Sequence, residues 1–212
     1  MMNKFLAAAA LMLAASGASG ATVDLVTDGG FESGTSANFS TDFVPGVGVG
    51  AGRFDVVMTS FGVVPNSGNW FMAVNGGDAS NLDPTVWSQS VNVTSGTEYT
   101  LSFSMADWSG FPPDANLSVR LGGIEILNAT SSAAQDVWES FSASWTSTLS
   151  GAQDLSFVEL STGFLGNDYT LDDIALTFDD SPITAPNPIP LPAALPLLLA
   201  GLGALGVLRR RV

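Results

Sequence analysis

The side chains available for chemistry are carboxylates, hydroxyls, amides and aromatic rings, because the 212 residues include no histidine and no cysteine. Without imidazole or thiol the chain cannot build a Ser-His-Asp or Cys-His nucleophile, an imidazole base, or a His- or thiolate-held zinc. What remains suits calcium and sugars. Among the 20 acidic residues, Glu32 near the first strand and the Asp172-Asp173 pair in the last are the metal candidates. Calcium takes about six to eight oxygen ligands, which carboxylates and turn carbonyls supply. Strand parity points the same way: Asp172 shares its face with Ile174 and Leu176, where an unpaired carboxylate is costly. A solvated edge pair is the alternative.

Sugars stack their apolar faces on exposed rings, and one segment offers them. Ala106-Asp107-Trp108-Ser109-Gly110-Phe111-Pro112-Pro113-Asp114 reads as a loop with Trp108 and Phe111 as stacking rings. Asp107, Asp114 and nearby Asn116 stand ready to orient hydroxyls, a mixture found in shallow sugar sites. A hydrophobic loop that merely caps the fold is the competing reading. Trp70, Trp87, Trp138 and Trp145 fall within apolar runs instead, where core packing is the default. Paired-carboxylate hydrolysis of a glycoside needs only two acids at a suitable separation. Asp107 with Asp114 is the pair to name, but nothing singles it out, and the chain reads as a non-enzyme.

Charge removes another class of function. Of the 6 basic residues, only Arg53 and Arg120 lie between the two ends, together with all 20 acids, so that stretch carries 2 minus 20, or −18. Such a field repels nucleic acid and anionic membranes, and two arginines cannot track a phosphate backbone. For a sugar ligand it favours neutral or cationic units over anionic ones.

The elements that must position these residues are short. From Ala21 to Asp180 the chain is rich in Gly, Ser, Thr, Asn and Asp, with brief apolar runs and no long stretch at helical period. The clearest runs are Val86 to Val93, Tyr99 to Met105, Leu117 to Leu121, Val137 to Trp145, Leu155 to Leu160 and Tyr169 to Phe178. Tyr99, Leu101, Phe103 and Met105 alternate with Thr100, Ser102 and Ser104, which gives one buried face and one polar face. Regularly spaced runs of this kind predict an all-β sandwich or barrel. Thr94-Ser95-Gly96-Thr97 and Gly122-Gly123 both read as hairpin turns. Gly163 to Leu171 is similar to one calcium-binding nonapeptide of a β-roll, but such an architecture needs stacked copies, so it reads as a loop before the last strand.

The two ends have other work. Residues 1–21 hold Lys4, an apolar core and a small-residue exit, the parts of a secretory signal. The domain occupies 22–180, and 181–190 is a proline-rich extended linker. In 191–212, Leu191 to Leu208 carries no charge and precedes Arg209-Arg210-Arg211. As a helix those eighteen residues would span about 27 Å, enough for a bilayer core, with the arginines on the cytoplasmic side.

Two resemblances follow from these residues. Ile189-Pro190-Leu191-Pro192-Ala193, the apolar span and Arg209, Arg210 and Arg211 closely resemble the VPLPA-CTERM sorting tail, a relative of the PEP-CTERM signal, with Ile189 in place of the usual valine. This implies an exported protein of a Gram-negative bacterium, anchored first in the inner membrane. An exosortase-type membrane protease would then recognise and remove the tail, leaving the protein in the envelope or outside it, in systems that accompany exopolysaccharide. A plain single-pass anchor is the alternative. Asp28-Gly29-Gly30-Phe31-Glu32, Gly68 to Gly76, Val86 to Val91 leading into Gly96 to Leu101, and Leu171 to Thr177 resemble a galactose-binding-like jelly roll. Carbohydrate-binding modules and DUF642-type domains share that architecture. The resemblance implies a two-sheet β-sandwich, a structural calcium held by the Gly30 carbonyl, Glu32 and Asp172 or Asp173, and a non-catalytic polysaccharide-binding role. A purely structural surface or biofilm component is the rival, with a carboxylate-dependent glycosidase third.

Overall fold

The computed structural model describes residues 21–180 apart from 79–82, 133, 162, 164 and 165. The signal segment, the linker and the sorting tail, with Pro190 to Ala193 and Arg209 to Arg211, lie outside the described residues. Within the described part the elements in order are β1 (Thr22–Asp24), β2 (Val44–Pro45), β3 (Arg53–Val57), β4 (Phe71–Asn75), β5 (Thr85–Val93) and β6 (Glu98–Asp107). They continue with β7 (Asn116–Leu121), β8 (Ile124–Thr130), β9 (Glu139–Thr146), β10 (Gly151–Glu159) and β11 (Tyr169–Asp179); one short 3-10 turn spans Val47–Val49.

These strands form two sheets, as the alternating runs require. One has seven strands in the order β2-β3-β4-β11-β6-β9 with β1 added on β11, and the other has four in the order β5-β10-β7-β8. The inward side chains of β6, namely Tyr99, Leu101, Phe103 and Met105, are all buried, and Val91, Val93, Leu117, Val119, Leu155 and Phe157 meet them from the smaller sheet. Phe103 and Phe157 join the layers edge to face at 4.8 Å between ring centres, and Trp87 meets Phe157 the same way at 5.5 Å. Such aromatic pairs add about 0.5 to 1.5 kcal/mol beyond the area they bury. Trp87 is thus a core ring; Trp70 and Trp145 pack partly buried against the same core. Trp138 sits just ahead of β9 against a second cluster, its indole N–H donating to the Val64 carbonyl at 2.9 Å.

Local pattern and fold disagree at two places. Gly122 and Gly123, both at positive φ, close a true hairpin between β7 and β8. Thr94 to Thr97 does not: β5 pairs with β10 and β6 pairs with β9 and β11, so this turn is an arch that carries the chain from one sheet to the other. The second place is β11. It bulges between Asp172 and Ala175, with Asp173 at φ 54°. The extra residue resets parity, so Leu171 and Leu176 stand with Met105 and Leu101 on the inner face while Asp172 is registered with Ser104 on the outer one. Ile174 and Leu176 share the core as expected, but Asp172 does not share their face.

An outer layer covers part of the larger sheet. Phe71 and Ala73 alternate with inward Met72 and Val74 and therefore project outward. There they pack with Val47, Val63 and Trp108 as a second apolar cluster. The chain between β3 and β4 forms part of this lid. The turn after β1 also runs close to the sheet, and it is glycine where it crosses β11: a Cβ on Gly29 would lie 1.8 Å from the Ile174 carbonyl oxygen.

Candidate functional site

The loops at one end of the sandwich enclose a cavity of about 490 Å³. Its base is Trp108, which follows directly on β6 and lies on the outer face of the larger sheet. The ring is 9% exposed, and its indole N–H is shared between the carbonyls of Val74 at 3.0 Å and Tyr169 at 3.1 Å. Phe61 lies flat over it, ring centres 4.0 Å apart and planes within 7°. Trp108 is therefore a structural ring, against its expected role as the exposed stacking surface. The rings that do face solvent are Phe61, 52% exposed, and Phe111, 64% exposed. Both line the cavity, together with Gly50, Ala51, Asn75, Ser109, Gln135 and Asp168.

The polar residues expected around Trp108 separate. Asp107 is 1% exposed, and its Oδ1 accepts the N–H groups of Ser109 at 2.7 Å and Gly110 at 2.8 Å and the Ser109 hydroxyl at 3.2 Å. It shapes the loop from within, as Asp does at turns, and cannot reach a sugar; its Oδ2 is buried without a partner. Asp114 does not line the cavity. Asn116 belongs to β7, where its side-chain amide donates to Asn128 at 3.0 Å and Thr130 at 2.7 Å. The Asp107 and Asp114 pair named for hydrolysis thus lacks its second open acid, since Asp107 is sealed while Asp114 is part-exposed.

Sequence reading passed over Phe61, Asn75, Gln135 and Asp168. Phe61 had a signal of the same kind as Phe111, a lone ring beside a glycine between apolar runs. Asn75, Gln135 and Asp168 had none, because three separate connections bring them together.

Asp168 is the acidic side chain at the cavity wall. Its Oδ1 accepts the Gly76 N–H at 3.1 Å. Burial pushes its carboxyl up to about 6, with the charge of Asp107 adding to the rise. Behind it Glu159 is almost fully enclosed. Its Oε2 accepts the Gly77 N–H at 3.0 Å and its Oε1 accepts the Asn167 amide and the Ser161 hydroxyl. Burial outweighs these donors and lifts Glu159 to about 7. The Tyr169 hydroxyl is buried without a partner, and burial, then Glu159 and Asp168, push it well above its ordinary value.

Of the calcium candidates, Asp172 and Asp173 bring carboxylate oxygens near Gly30, whereas Glu32 comes close only through its Cγ. A point one Cβ length from Gly30 lies 3.8 Å from Asp173 Oδ1, 3.9 Å from Asp172 Oδ1 and 3.9 Å from Glu32 Cγ. All grip one loop. Glu32 Oε1 accepts the N–H groups of Asn69 at 2.8 Å and Trp70 at 3.0 Å, which holds its carboxyl below the usual range. Asp172 Oδ2 accepts those of Asn66 at 2.9 Å and Ser67 at 3.2 Å. Asp173 accepts the Asn66 amide and the Ser67 hydroxyl. Burial raises Asp172 to about 6 despite these donors. The donor atoms are the hard oxygens calcium takes, but among the described residues no three acidic side chains converge as a metal-holding group.

No protein-family model matches the chain, and no curated protein matches it in sequence. Solved structures do match in fold. TmCBM61, solved with β-1,4-galactotriose, superposes with a TM-score of 0.52 at 17% identity, covering 74% of this chain and 99% of that one. The CBM22-1 xylan-binding domain of Paenibacillus barcinonensis Xyn10C gives 0.51 at 16% identity over 77% and 98%. A cyclase from Fischerella sp. TAU, solved with 4-(1H-indol-3-yl)butan-2-one, gives 0.50 at 13% over 74% and 98%. Binding modules and an enzyme share this architecture, so likeness at such identities is one of fold, and function has to be argued from the site. The chain folds as the two-sheet jelly roll of carbohydrate-binding modules.

Proposed function

We propose that this domain is a non-catalytic glycan-binding module of an exported protein, and that the glycan sits in the cavity between Phe61 and Phe111. The observation that carries the reading is the pair of solvent-facing rings on a cavity of about 490 Å³ whose wall also presents Asn75, Gln135, Ser109 and Asp168. Flat apolar rings flanked by amide, hydroxyl and carboxylate groups match the apolar faces and hydroxyl edges of a sugar. The sealed Asp107 speaks against hydrolysis by the pair the sequence offered.

A glycan array on residues 21–180, followed by calorimetry on the best binder, tests this. Phe111→Ala is expected to weaken binding about tenfold, the loss of roughly 1.4 kcal/mol of ring burial. Its melting temperature should hold, because exposed positions contribute within about 0.5 kcal/mol. Silence of the wild-type domain on the array would transfer the role to a structural surface component.

Export and processing belong to the same proposal, supported by the signal-like start and by Pro190-Leu191-Pro192-Ala193 with Arg209 to Arg211. Intact-mass measurement on protein recovered from its native host is expected to show a species lacking about the first twenty residues and most of the segment after Ala193. A mass that includes the three arginines would leave a membrane anchor in place of an exosortase-type substrate.

Calcium is proposed as a structural ion at Gly30, Asp172 and Asp173 with Glu32 beside them, supported by their all-oxygen donor set and their convergence on one turn. An ion that binds only the folded state stabilises by about 2.7 kcal/mol at a hundredfold excess over its Kd. The melting temperature is then expected to rise in millimolar calcium over EDTA, and Glu32→Gln to abolish the rise. No change would leave these carboxylates as clamps on the loop from Asn66 to Trp70.

A further inference from the structure

We infer that the cavity takes a sugar bearing a free primary amine, with its ammonium against Asp168 and its apolar face along Phe61 or Phe111; this deepens the glycan-binding reading and rests on it.

The first reason is an uncompensated carboxylate. Asp168 lines the cavity while nine-tenths buried, and only the Gly76 N–H is given to its Oδ1. Among the described residues no cationic side chain answers it. Between residues 21 and 180 the chain has two, Arg53 and Arg120. Arg53 is registered against the cavity residue Asn75, yet its guanidinium donates to the Pro45 carbonyl at 3.1 Å. Arg120 lies on β7 in the other sheet and donates to the Ser118 hydroxyl. Buried carboxylates are ordinarily paired or heavily hydrogen-bonded, so this one is built for a positive ligand group.

The second reason is what stands around it. Asp107, on the adjoining strand, is sealed with Oδ2 unpartnered, and it acts on Asp168 through its charge. Glu159 on β10 and Tyr169 on β11 lie behind, and Asp136, next to the lining residue Gln135, turns its Oδ2 toward Gly62. Among the described residues Asp168 is the titratable group that lines the cavity, and the groups set around it are acids and a neutral phenol. The aromatic faces of Phe61 and Phe111 attract cations as well. A hydroxyl could hydrogen-bond Asp168, but an ammonium adds the charge-assisted bond that offsets its burial. An anionic sugar would be repelled by the same groups.

Calorimetry on the 21–180 domain with three probes tests the inference: a glucosamine tetramer, the same tetramer fully N-acetylated, and a galactose tetramer. At pH 7 the amine form is expected to bind at least tenfold more tightly than the acetylated one, and Asp168→Asn to erase that difference. Its affinity should follow a bell in pH, falling below about 6 as Asp168 takes up a proton and falling again as the sugar amine loses its own. The acetylated and galactose probes should show neither limb. The wild-type pH profile decides the matter even if Asp168→Asn does not fold. Equal affinity for amine and acetylated forms with a flat profile overturns the amine inference and leaves glycan binding standing. Failure of all three probes together with a silent array overturns glycan binding itself.

Discussion

Replacing Trp108 by alanine is expected to destabilise the domain by about 3 to 5 kcal/mol and to lower its melting temperature by roughly 6 to 20 °C. The ring is almost wholly buried and packs with Phe71, Ala73, Val47 and Val63. Its N–H is shared between the carbonyls of Val74 and Tyr169, which tie β4 and β11 to the loop after β6. Truncation leaves a cavity under Phe61 and strips both carbonyls of that donor. Phe61→Ala should cost less, since its own ring is half exposed and the stack contributes about 0.5 to 1.5 kcal/mol. Thermal and denaturant unfolding of both variants measure the contrast. A Trp108→Ala domain within 1 kcal/mol of wild type would show that the ring is a contact surface after all.

Stability is expected to fall as the pH rises from about 4.5 to 7. Glu159 ionises near 4.5 when exposed but near 7 in the folded domain, so across that window the unfolded chain has released a proton that the folded domain still holds. Proton release then favours unfolding, and the penalty builds up to about 3 kcal/mol before levelling off above 7. Asp168 and Asp172, both raised from 3.8 to about 6 by burial, act in the same direction over the lower part of the window. Glu32, held down by the N–H groups of Asn69 and Trp70, acts the other way, losing its contribution as the pH drops below about 4.5, so the optimum lies at or below about pH 4.5. Denaturant midpoints from pH 4 to 8 give the profile, and Glu159→Gln should flatten its upper half. A wild-type stability that climbs from pH 5 to 7 would contradict the burial of Glu159.

Much of this molecule is set by nearest neighbours along the chain. The alternation of Tyr99, Leu101, Phe103 and Met105 with serine and threonine specifies a half-buried strand, because successive side chains point to opposite faces. The Gly122-Gly123 hairpin follows from backbone freedom at two adjacent positions. The absence of His and Cys excludes whole classes of chemistry without any structure. Candidate residues were legible as types: Phe111 does line the cavity, and Asp172 and Asp173 do bring carboxylate oxygens near Gly30.

Tertiary structure alone decided what those residues do. A turn looks the same locally whether it closes a hairpin or arches between sheets; for Thr94 to Thr97 the answer lies in β10, β9 and β11, which take the partners. One extra residue at Asp173 inverts parity, and no periodicity anticipates a bulge whose carboxylate is held by a loop more than a hundred residues earlier. Exposure is likewise a long-range property. Trp108 is covered because the chain between β3 and β4 lays Phe61 across it, and Asp168 becomes the charged wall of the cavity because separate connections converge there. Composition and period report on a residue's own strand, whereas burial, pairing and pKa depend on which distant segments pack against it.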